Sequence, residues 1–165
     1  MKLTHTSVLK RTWKNKCLPF VVMGLIFPLL GLLISVFSPV GLLIGAALSV
    51  LFFIPSFERG YACYLKAKRG EYVVYKQECT SVYTDIKKDD DGDWVGTQYS
   101  VFGDLGTYKH KGTDTQMPMI KQGDMYYLVV FRGSTEISLI FSANKYEIDT
   151  SEYSSADQHL YTPIK

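Results

Sequence analysis

The chain has 165 residues, of which 47% are apolar and 21% charged, and its formal net charge is only +2. That total hides a division: residues 1–70 hold nine basic and one acidic residue (+8), residues 71–150 eight basic and thirteen acidic (−5). An acidic C-terminal part excludes a nucleic-acid polymer as its partner, and about 80 residues there allow one modest core.

The chain opens on a basic stretch in which Val8, Leu9 and Trp13 are interspersed with Lys2, Lys10, Arg11, Lys14 and Lys16. Residues 1–17 therefore read as a juxtamembrane segment, able to lie as an interfacial helix with Trp13 at headgroup depth. Two uncharged apolar runs follow, 18–37 and 40–57, separated only by Ser38 and Pro39. A helix needs about 20 residues to cross a hydrocarbon core of roughly 30 Å, so 18–57 reads as a transmembrane helical hairpin. The rival is a cleaved signal peptide. Its apolar region would be shorter than the first run, and no small-x-small cleavage pattern precedes the second. Arg59, Lys66, Lys68 and Arg69 follow the second run, whereas the Ser38-Pro39 turn is uncharged. The expected location is a cell (inner or plasma) membrane with both termini cytoplasmic.

Neither run holds an ionisable residue, which argues against a transport path through a monomer. Gly24, Gly31 and Ser35 share one helical face with Pro28, and Gly41, Gly45 and Ser49 form a small-xxx-small stripe on the second run. These are the expected helix-packing residues, either within the hairpin or between copies. Pro28 removes a backbone donor in mid-span and predicts a kink. Residues 58–70 read as a helical extension with Tyr61, Tyr64 and Leu65 on its apolar side, ending at Gly70.

From Glu71 onward the pattern is that of short strands, at 72–79, 82–86, 94–102, 125–131, 136–141 and 145–148, punctuated by glycines. Hairpin turns are expected at 89–93, with Asp91-Gly92 at the tip, and at 132–135. The fold class is α+β membrane protein: a two-helix hairpin followed by a small all-β domain over 71–150, an antiparallel barrel or sandwich. Residues 151–165 read as a polar, loosely held tail.

Signals for chemistry are sparse. The Asp-rich loop fails as a calcium loop: Lys87 would stand at its first ligand position and Gln98 at its twelfth. Cys17, Cys63 and Cys79 make no CxxC pair, and His5, His110 and His159 are scattered, so no metal is expected. Nucleophile elbow, zinc-protease, phosphate-loop and dinucleotide motifs are missing, and His110 with Asp104 is the one polar grouping to nominate. No catalytic residue and no cofactor are expected. Tyr75, Trp94, Tyr99 and His110 are the candidates for holding a planar ligand, against the ordinary use of strand aromatics as core.

Two membrane runs followed by a small β domain resemble, in organisation, bacterial antiphage effectors in which a β-barrel senses a cyclic nucleotide. That resemblance implies a ligand-gated membrane effector. The residues themselves point first to a non-enzymatic membrane-anchored protein. Its β domain would bind a protein partner or assist a membrane complex, with the bilayer and self-association through the membrane helices as further partners.

Overall fold

A computed structural model describes residues 1–35, 40–88, 90–92, 94–109, 120–157 and 159–164; in the two long helices, side chains are described at part of the positions. The chain divides into two compact units, Thr6–Arg69 and a second made of Met1–His5 with Gly70–Lys165. It therefore passes between units twice, at His5/Thr6 and at Arg69/Gly70.

The helical unit starts with α1 (His5–Thr12), which runs through a π-helical turn, Trp13–Cys17, into α2 (Leu18–Ser35). The N–H of Leu18 donates to the carbonyl of Trp13, the wider bonding that marks a π turn. Thr12 is fully buried and donates its hydroxyl to the Val8 carbonyl at 2.8 Å, which satisfies it. The run His5–Leu33 is long and apolar enough to cross a membrane. α3 is one helix of 29 residues, Val40–Lys68, packed on α2 and on the π turn. Lys66 and Lys68 sit in its last turn, favourably placed for the helix dipole. Gly70, with φ +67°, ends it in a conformation that a side chain would strain. Of the expected packing residues, Gly31 is buried and Gly24 half-buried. The side chains at Pro28, Ser35, Gly41, Gly45 and Ser49 fall outside the described residues.

Among its described residues the β unit contains nine strands after its N-terminal arm. β1 (Lys2–Leu3) belongs to that arm, and β2 to β10 follow at Tyr72–Glu78, Ser81–Lys88, Trp94–Phe102, Gly106–Lys109, Met125–Phe131, Ile137–Ser142, Glu147–Ile148, Tyr153–Asp157 and Leu160–Pro163. One antiparallel sheet has the order β7-β6-β2-β10-β9 and a second is the meander β3-β4-β5. Among the described residues none of the sheets closes into a barrel, so that half of the expectation is corrected. The physical reason lies at Cys79. The chain leaves β2 there and starts a separate sheet, with its N–H on the Asp124 carbonyl and the next N–H, of Thr80, on Val101.

The core of the unit lies between the two sheets. Tyr126, Leu128, Ile137 and Ile140 of the larger sheet meet Cys79 and Phe102, with Tyr75, Val82 and Tyr108 packed around them. Phe102 and Tyr126 stand edge to face, centroids 5.7 Å apart. The other face of the larger sheet is buried as well: Tyr72, Val74, Tyr127, Val129, Phe131, Leu139 and Phe141 are all nearly inaccessible. Burial on both faces is why β6 reads MYYLVVF without alternation.

Both ends of the chain are part of the β unit. The tail, expected to be loosely held, is paired: β10 pairs with β2 and β9 with β10, so residues 153–163 complete the larger sheet. The first residues are held as well. β1 pairs parallel with β8, the Glu147 N–H donates to the Met1 carbonyl at 2.9 Å, and Leu3 is fully buried.

Candidate interaction surfaces

Within the helical unit, the sequence-remote basic segments converge. α3 meets the π turn at Gly60, which is buried so tightly against the Lys16 carbonyl that a Cβ would overlap it. Beside this contact the Trp13 ring stands edge-on to Tyr64, centroids 5.3 Å apart. Tyr64 stacks on Tyr61 at 6.1 Å and Tyr61 on Phe57 at 5.6 Å, one turn apart along α3. Lys14 and Lys16 flank the contact from the π turn, Arg59 flanks it from α3, and Lys10 lies one turn before Trp13. Lys10, Lys14 and Arg59 are exposed and Lys16 half-buried. The result is a girdle of stacked aromatics edged by cations. Trp13, Tyr61 and Tyr64 were each readable in the sequence, but their meeting depends on Gly60, which no motif singled out.

In the β unit, the arm is locked at His5. Its N–H donates to Glu152 Oε2 at 2.6 Å, which places a carboxylate at the start of α1. Its Nδ1 shares a hydrogen bond of 2.9 Å with the Tyr72 hydroxyl, which in turn shares one of 2.9 Å with Tyr153. Burial, first, and then the mutual hydrogen bond push the Tyr72 phenol far up. Burial is also the larger cause that lifts Tyr153, to about 12. The hydroxyls are therefore neutral across the physiological range, and the chain of three rings is a structural clasp. Cys79 is likewise inert, its thiol raised chiefly by burial.

The β3-β4 ribbon differs from the rest of the unit. Near its base Val82 and Ser100 face the core; farther out, on the same face, Ile86 and Trp94 are exposed. Trp94 is 70% accessible and carries Lys88 over its ring at 5.3 Å. On the opposite face Tyr83 stacks on Tyr99 at 5.3 Å, and Lys87 pairs with Asp85 at 2.9 Å.

Of the four candidate ligand residues, the three that are described do not share one face. Tyr75 packs beside the core on β2, and Trp94 and Tyr99 lie five positions apart on β4, on opposite faces. His110 lies outside the described residues, as does the Asp104 side chain. A separate open groove of about 450 Å³ is lined by Lys76, Tyr127, Asn144, Lys145, Tyr146 and Glu147, and contains none of them. Comparison with family models, curated proteins and solved structures finds no match for this chain.

Proposed function

We propose that the chain is a membrane-anchored, non-enzymatic binding protein. α2 and residues 40–57 of α3 cross the bilayer as a hairpin with both chain ends on the cytoplasmic side, and the β unit presents the β3-β4 ribbon to a protein partner. The observation that carries the reading is the outward display of leucines by the helical unit: Leu25, Leu29, Leu33 and Leu43 are all more than half exposed. Water does not solvate such a surface well, whereas lipid does. At 1.5 Å per residue α3 is ~44 Å long, more than a ~30 Å hydrocarbon core, so its charged last third extends beyond the bilayer. The basic girdle then lies on the cytoplasmic side.

The ribbon is favoured as the partner surface because Ile86 and Trp94 are exposed together on one of its faces, 61% and 70% accessible. A photo-crosslinking amino acid at position 94, with the exposed Lys121 position as control, tests it in intact cells. A reproducible protein adduct at 94 and none at 121 is expected. Equal labelling at both positions, or none at either, would remove the ribbon from consideration.

A further inference from the structure

The girdle carries a more specific expectation, which rests on the membrane reading above. We propose that it is a binding site for anionic phospholipid headgroups, with Lys14 and Arg59 contacting the phosphate and Trp13 and Tyr64 seated at the headgroup level. Three observations carry this. Gly60 lets the π turn and α3 approach backbone to backbone, which brings together two segments, 45 residues apart in sequence, that carry Lys14 and Arg59. Trp13 of the one segment and Tyr64 of the other meet edge to face, rings whose amphipathic shape suits the lipid–water boundary. Among the described residues no carboxylate pairs with Lys14 or Arg59, and both are exposed, which leaves them open to an anion. Zwitterionic phosphatidylcholine offsets its own phosphate with a quaternary ammonium, whereas phosphatidylglycerol carries a net negative charge.

The chain has two tryptophans, so Trp94→Phe leaves Trp13 as the only one. The full chain with this substitution is reconstituted into phosphatidylcholine vesicles containing a minority of phosphatidylglycerol, with bromine on the upper acyl chain of either lipid as a contact quencher. Bromine on phosphatidylglycerol is expected to quench Trp13 roughly twofold or more beyond the same mole fraction on phosphatidylcholine. Lys14→Gln with Arg59→Gln is expected to abolish that preference while quenching persists. Equal quenching by the two lipids in the chain with the intact girdle overturns the headgroup site and leaves the membrane anchor standing. No quenching by either lipid overturns the anchor, and the headgroup site with it. The decisive comparison is between two lipids around one protein, so it does not depend on the variant folding.

Discussion

Leucine has opposite fates in the two units. Leu128 and Leu139 of the β unit are 0% exposed, whereas Leu33 and Leu43 of the helical unit are 66% and 73% exposed. The same side chain cannot prefer both in one solvent. The β unit is organised against water, with apolar residues on both faces of β6 and a polar rim. The helical unit keeps its charged residues to one end, and among its described residues many apolar side chains are exposed. The contrast is what supports the proposal that lipid, rather than water, surrounds the helices.

The comparison can be broken by substitution. Leu139→Ala is expected to cost about 3 kcal/mol, lost transfer energy plus an unfilled cavity, measured by chemical unfolding in detergent. Leu33→Ala should change the same stability by less than about 0.5 kcal/mol, because detergent replaces the contact. Equal losses would mean that the helices are packed like a water-soluble core. Gly60→Ala is next, at about 2 kcal/mol, since the added methyl overlaps the Lys16 carbonyl and forces α3 away from the π turn. A simultaneous loss of the Trp13–Tyr64 contact would show as altered Trp13 fluorescence in the Trp94→Phe background.

Tyr72→Phe removes the hydroxyl that joins His5 to Tyr153 and should cost about 1 kcal/mol. The clasp also predicts a pH dependence. Both phenols have folded pKa values raised above the unfolded value near 10, that of Tyr153 to about 12. The folded state therefore holds its protons longer, and the stability is intact below pH ~10 and falls as pH rises towards 12. Tyr153→Phe should flatten that decline, as thermal unfolding between pH 9 and 11.5 (roughly the usable window) would report. The smallest effect is expected at the ribbon: Trp94→Ala should leave stability within about 0.5 kcal/mol while abolishing crosslinking from a probe placed at position 86 instead.

Much of the secondary structure was legible because it follows from local pattern. The uncharged runs gave helices, and the alternation at 137–141 and the aromatic strand at 94–102 gave strands within a residue or two of those observed. What the sequence concealed is long-range. β10 reads LYTP in a polar tail, and its pairing with β2 depends on an edge that only the folded sheet presents. The arm was hidden for the same reason: Leu3 sits among basic residues that suggest a membrane surface, yet β8, more than 140 residues away, buries it. Glu152 as the carboxylate at the start of α1 is equally remote. The girdle was half-legible. Its cations and aromatics were visible, but Gly60 looked like one glycine among thirteen.

The central claim is that lipid solvates the helical unit, and alkaline carbonate extraction of membranes from cells expressing the full chain tests it most directly. An integral hairpin remains with the sedimented and floated membrane fraction after carbonate treatment. Release of the chain into the supernatant, folded and monodisperse without detergent, would contradict the account.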